Sequence, residues 1–265
     1  MGGFLLLAVI WFLFILDTAA DNNVGHGFQT LGRGVRGLPS LLTDTDGYVS
    51  WWRWVTEAEG WSNVLANTVD HVQLVAASMA IASVVSITLG VAIHRVRWLR
   101  GPLLGAASVL LTIPSLALFA LFMPIVGIGD RGPIIALCLY SVLPILRNTV
   151  IGLEDVDRAV IESAKGMGLG PTQRLLRVEL PLAWPIVLTG IRVATLLNIG
   201  IAAIAPLVGG TGLGGYVRDG LQRFPDVTSV ERMWTGVIFT IALALLADLL
   251  FTLLRRLTTS KGLRS

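Results

Sequence analysis

Charge is what this 265-residue chain has least of. Asp, Glu, Lys and Arg supply 14% of its residues, against roughly 25% in an ordinary soluble domain. That shortage argues against a soluble enzyme, a disordered tail and a nucleic-acid-binding module. There is one cysteine, Cys138, so no disulfide within the chain and no cysteine-cluster metal site is available. It sits in an apolar run and reads as a small core residue. The three histidines, His26, His71 and His94, are far apart and lack metal-ligand spacing. No Ser/His/Asp or paired-carboxylate arrangement falls in one compartment. The phosphate-cradling sequence G-x-x-x-x-G-K-[ST] does not occur. The basic excess is small, 20 basic against 17 acidic residues, although the pI is near 9.5.

What the chain has instead is apolar length. Hydrophobic residues make up 54% of it, and the mean hydropathy is +0.75. A spanning helix needs about 20 mostly apolar residues, because the hydrocarbon core is about 30 Å thick. Six runs qualify or come close: Met1 to Leu16, then about 72–93, 101–129, 132–150, 182–208 and 233–254. The first lacks the basic start and the small-residue cleavage site of a signal peptide, so it is expected to be retained as a helix. The reading is therefore an all-α, polytopic membrane protein with about six transmembrane helices. Six crossings put both termini on one side.

The basic residues choose that side. One set of loops carries 12 Lys and Arg, the other carries 7, and Arg192 falls within a run. The richer set is cytoplasmic by the positive-inside rule, so both termini are expected in the cytoplasm. Three regions follow. Residues 1–61 hold the first helix and an external segment with Trp51, Trp52, Trp54 and Trp61. Residues 62–258 form the main membrane body, with a long inner loop at 151–180. Residues 259–265 are a cytosolic tail.

The inner loop is the informative part. Asp157 suits the cap of a short helix through Glu162, Ser163 and Ala164. Gly166, Gly168 and Gly170 can end that helix, and Pro171 can open a second. Pro181 and Pro185 then lead into the fifth run. The expected product is a helix–glycine turn–helix bracket whose small face, Ser163 and Ala164, suits a partner's groove.

Within it stand Glu162-Ser163-Ala164, then Gly168, nine residues, then Val178-Glu179-Leu180-Pro181. This resembles the E-A-A-x-x-x-G, nine residues, I-x-L-P signature of the permeases of bacterial ABC importers. It departs from that pattern at Ser163 and Val178. Further segments are similar to the osmoprotectant branch: Thr112 to Ala117, Gly127 to Gly129, Leu143 to Thr149, Ala164 to Gly168, Gly190 to Arg192, Asn198 to Gly200 and Gly212 to Gly214. The likeness covers about residues 62–255. It implies a type I importer permease core without catalytic residues. Glu162, Ser163, Ala164, Gly168, Leu180 and Pro181 would couple to a separate cytosolic ATPase dimer, which holds the ATP and magnesium; this chain holds no cofactor. It further implies an extracytoplasmic binding protein, a second permease copy or a paralogue, and a bacterial inner-membrane location. The implied solutes are glycine betaine, choline, carnitine or similar quaternary amines. A permease for another small solute such as an amino acid, an ATPase-independent secondary transporter and an accessory scaffold subunit stay open.

Ionisable and polar groups within the runs are candidates for the pathway or its gate. Arg192 is deep enough to need a partner, and Asp248 in the sixth run can supply one. Asn198 lies one to two turns beyond Arg192, where a helix–helix hydrogen bond is the alternative. Pro114, beside Ser115, and Pro144 are expected to kink their helices. Phe119 and Phe122 read as lipid- or core-facing. Asp70 and His71 read as interfacial. The tryptophan cluster invites a cation–π cage, but an interfacial aromatic anchor is the simpler reading. Gly210-Thr211-Gly212-Leu213-Gly214-Gly215 satisfies G-x-G-x-x-G. Lacking a strand before it, this segment reads as a flexible or tightly packed outer turn.

Overall fold

The computed structural model describes residue 51, residues 54–224, residue 226 and residues 228–258. The expected first helix, most of the external segment, Trp52 and the tail 259–265 lie outside the described residues. Every regular element among the described residues is helical. A π-helical turn, Trp54–Glu59, precedes α1 (Trp61–Arg95). Then come α2 (Arg97–Leu110), α3 (Ser115–Val126) and α4 (Arg131–Glu154). The inner loop contributes α5 (Arg158–Gly166), α6 (Pro171–Arg174) and a π-helical turn, Leu175–Glu179. The chain continues as α7 (Leu180–Ala202), a 3-10 turn (Ala205–Val208), α8 (Gly214–Gln222) and α9 (Ser229–Thr258).

Two compact units are present. Of the described residues, the first holds those up to Leu65 and Tyr216–Gly236, the second Ala66–Gly215 and those from Val237 onward. In the second, a core gathers Leu74, Val75 and Met79 of α1, Leu118 and Phe119 of α3, Leu137, Tyr140 and Ile145 of α4, and Ala194 and Ile199 of α7. Phe119 is fully buried there. The hydrophobic positions that read as one apolar run in the sequence thus divide between this core and an outer face.

Four helical stretches are long and apolar enough to cross a membrane: Trp61–Arg95, Arg131–Glu154, Pro171–Ala202 and Ser229–Thr258. α1, with its 35 residues, is about 52 Å long at 1.5 Å per residue, so it outreaches a hydrocarbon core of about 30 Å. The run at 101–129, expected as one helix kinked at Pro114, is two helices bent by 93° at a short break. Pro114 explains the break. It has no N–H to donate, and its ring pushes Ile113 out of the helical region. Helix α3 then restarts from the Pro114 carbonyl, which accepts the Leu118 N–H at 3.0 Å. Tyr140 of α4 donates to the freed Ile113 carbonyl at 2.6 Å.

The bent pair is a broken span rather than a loop that returns to its own side. At its start, Arg100 is ion-paired with Glu154, the last residue of α4. At its finish it runs into Asp130, the N-cap of α4. The pair therefore travels the whole length of α4, about 36 Å for 24 residues. The described chain makes five crossings.

Other boundaries also shift. Pro144 lies inside an unbroken α4; the Asn148 amide donates to its carbonyl at 2.7 Å. The fifth run ends at Ala202, and residues 205–208 form the separate 3-10 turn. Pro181 and Pro185 lie within α7 rather than before it.

Helices α4 and α7 cross closely, and glycine permits it. A Cβ added at Gly190 would lie 2.7 Å from both the Pro144 carbonyl oxygen and the Asn148 Cβ. Small residues at such crossings let backbones approach where lipid offers no hydrophobic drive for helix association. Gly190→Ala is expected to destabilise the protein by about 1–3 kcal/mol through overpacking. Gly200→Ala, where nothing lies within 4 Å, is the control and should be near neutral. Thermal unfolding of the two purified variants checks the contrast.

Candidate functional site

The bracket between α4 and α7 is built from local rules. Asp157 caps α5, its carboxylate accepting the Ala159 N–H at 2.8 Å. After Gly166, Gly168 turns the chain with φ +79°, a conformation in which a Cβ is strained. Gly170 precedes Pro171, and the Gln173 side chain accepts the Gly170 N–H at 3.4 Å. Ile161 and Leu175 pack the bracket onto Leu153, Val156 and Ala183. Arg95, at the end of α1, donates to the Pro171 carbonyl at 3.0 Å.

The outward face differs from expectation. Ser163 is exposed, but Ala164 is buried against the protein's own body. Helical geometry explains the split, because neighbours on a helix point about 100° apart. Glu162 is exposed and accepts a hydrogen bond from Lys165 at 2.6 Å. That bond and the Lys165 charge hold the Glu162 carboxyl below its usual range. It therefore remains a carboxylate at neutral pH and is protonated only on acidification. Two apolar side chains that the motif does not mark stand out beside it: Met167, 73% exposed, and Leu176, 59% exposed. Met167 is the x next to the motif glycine, and no sequence rule distinguished it. Leu180 is half-buried and Pro181 exposed at the head of α7.

The intramembrane candidates occupy three separate places. Arg192 of α7 donates through Nε to Asp248 of α9 at 2.7 Å, and its Nη2 is 2.6 Å from the same oxygen. Asn198 is fully buried, donating to Ser141 Oγ at 2.8 Å and to the Leu137 carbonyl at 3.3 Å. Ser78 of α1 lies 3.4 Å away and Ser141 is on α4, so Asn198 ties α7 to two helices. Pro114 and Ser115 mark the break in the bent span.

His71 corrects an expectation. It is fully buried, not interfacial, and its Nε2 donates to the Ile199 carbonyl at 3.0 Å. The carbonyl can only accept, so Nε2 carries the proton. The periodicity of α1 contains no sign of this, because the partner is 128 residues away.

The glycine-rich outer segment is a packed turn. A Cβ at Gly214 would lie 1.8 Å from the Ala203 carbonyl oxygen. Asp130 accepts from the Thr211 N–H at 2.7 Å and from its hydroxyl at 3.0 Å. In the smaller unit, Trp54 is 2% exposed rather than set at an open surface. Tyr216 meets it edge-on at 6.3 Å, and the Arg232 guanidinium lies 5.2 Å over its ring. That face is therefore already occupied by a cation of the chain itself. Trp61 is exposed at the head of α1, as an interfacial anchor would be.

Residues 82–260 match the family described as the binding-protein-dependent transport system inner membrane component. The chain belongs to this family. It is a multi-span membrane permease of the bacterial inner membrane. This permease is 37% identical to the glycine betaine/carnitine/choline transport system permease of Bacillus subtilis over 201 residues, 76% of this chain and 91% of that one. It is 39% identical to an osmoprotectant import permease of Salmonella typhimurium over 202 residues, 74% of this chain and 92% of that one. A second Salmonella osmoprotectant import permease is 42% identical over 188 residues, 69% of this chain and 76% of that one. The fold matches a chain of the inward-facing methionine ABC transporter with a TM-score of 0.66 at 22% identity, covering 78% of this permease and 100% of that chain. The all-α importer-permease fold expected from the motif is thus the fold of this protein.

Proposed function

We propose that this permease forms the membrane pathway of an ATP-driven importer for quaternary-amine compatible solutes such as glycine betaine, choline or carnitine. The observation that carries the reading is that a Bacillus subtilis relative named for glycine betaine, carnitine and choline transport and a Salmonella typhimurium relative named for osmoprotectant import align with about three quarters of the chain at 37–39% identity. The chain itself performs no covalent chemistry and holds no cofactor; ATP and magnesium belong to the ATPase.

The bracket Asp157–Pro181 is the docking element for a cytosolic ATPase dimer. Its exposed Glu162, Ser163, Met167 and Leu176 offer one carboxylate and two apolar contacts. An extracytoplasmic binding protein delivers solute to the opposite face. A second copy of this permease, or a paralogue, completes the pathway. The bracket and the end of α9, with Arg255 and Arg256, face the cytosol, as do both termini. ATP-driven closure biases two helix packings, and each exposes the pathway to one side.

The test is ATPase activity of the complex reconstituted in proteoliposomes with its binding protein. Choline, glycine betaine and carnitine are titrated, with methionine as control. At least one quaternary amine is expected to stimulate hydrolysis several-fold while methionine does not. Stimulation by methionine alone would overturn the solute assignment.

A further inference from the structure

The junction between the bracket and α7 is a π-helical turn, Leu175–Glu179, flanked by α6 and α7. Across it, Arg174 Nε donates to Glu179 Oε1 at 2.6 Å. Glu179 is 3% exposed, although it is a carboxylate in the motif's unspecified position. In an α-helix, residues five apart point about 140° away from each other at 100° per residue. In a π-turn the hydrogen bonds run from i to i+5, so residues five apart lie about one turn apart and on nearly the same side. This ion pair therefore belongs to the π form. Relaxing the turn to α would swing the bracket by about one residue, about 100°, relative to α7.

We propose that Arg174 and Glu179 are positioning residues that lock this junction, so that displacement of the bracket reaches α7 instead of being absorbed in the turn. The proposal rests on the reading that the bracket docks on an ATPase. Two neighbouring attachments frame it. Leu175 anchors the turn on Leu153 and Ala183. The Arg95 bond to Pro171 fixes the far side of α6 to the end of α1. The turn between them has one ionic brace, and it is the Arg174–Glu179 pair. A buried carboxylate is costly unless it is paired, so an ion pair at this joint points to geometry rather than stability.

The experiment uses the full chain with Cys138→Ala, spin-labelled at Arg158→Cys and Leu197→Cys, both exposed positions. Arg174→Leu/Glu179→Met replaces the pair by apolar side chains, and Glu179→Gln keeps size and one acceptor. The inter-label distance distribution is expected to be narrow in the parent. It should broaden at least two-fold in the double variant and to an intermediate extent in Glu179→Gln. In the assembled transporter, solute moved per ATP hydrolysed should fall at least five-fold in the double variant and recover by half or more in Arg174→Lys. Unchanged distance widths together with unchanged transport per ATP overturn the proposal. If the double variant does not assemble, Glu179→Gln decides by the same two readings. The distance widths are read without solute, so a wrong solute assignment leaves them intact and appears only as missing stimulation of the parent.

Discussion

Asp248→Asn alone is expected to lower the folding equilibrium constant of the permease roughly a hundredfold, read as lost yield and thermal stability. Asp248 is the partner of Arg192 in α7, with both nitrogens of the contact within 2.7 Å of one carboxylate oxygen. Losing the partner leaves the Arg192 guanidinium as an unpaired cation at membrane depth. A charge there costs about 3 kcal/mol on insertion scales, and breaking a buried pair costs about 3–5 kcal/mol. The side chains are 29% and 38% exposed, which favours the lower end of that range. About 3 kcal/mol corresponds to about a hundredfold in the folding equilibrium. Arg192→Met/Asp248→Leu removes both charges and should recover most of the yield. Detergent-solubilised yield and thermal stability of the three proteins decide the matter. A stable Asp248→Asn protein that transports poorly would assign the pair to gating instead.

Gly168→Val should abolish transport while insertion and folding of the helices persist. At φ +79° a β-branched residue is a steric outlier, and such strain costs about 1–3 kcal/mol. Nothing lies within 4 Å of an added Cβ, so the cost is confined to the turn between α5 and α6. That turn aims Glu162 and Met167 outward, and its distortion removes the docking geometry without touching the membrane core. Glu162→Lys is expected to act similarly by reversing a fixed charge on the exposed face. Uptake by whole cells, with membrane levels measured by immunoblot, checks both. Wild-type uptake in the two variants would remove the bracket from the coupling role.

Much of this was legible because it is local. Apolar runs of spanning length report the crossings directly, since lipid forces every backbone group into a helix. The bracket was legible because caps, glycines and prolines act on their own few residues: Asp157 caps, Gly168 turns and Pro171 restarts the chain. Arg192 and Asp248 were readable as a pair because a membrane charge needs an opposite one. Pro114 was readable as a kink in the run at 101–129, but hydropathy is blind to direction, so the 93° size of the bend was not. The solute is legible only by likeness to relatives.

The sequence by itself determined the class of the protein, the apolar runs behind the crossings of the described residues and the place of the bracket between two of them, because composition and short-range backbone chemistry suffice for these. Only the tertiary structure decided which side chains face inward. His71 is buried because the Ile199 carbonyl lies across from it. Ala164 turns to the body while Ser163 faces out. Asn198 binds α1 and α4 through Ser78 and Ser141, and Glu179 finds Arg174 because the turn between them is π rather than α. Those outcomes depend on pairings between distant segments or on helical phase, and neither is carried by any local window of residues.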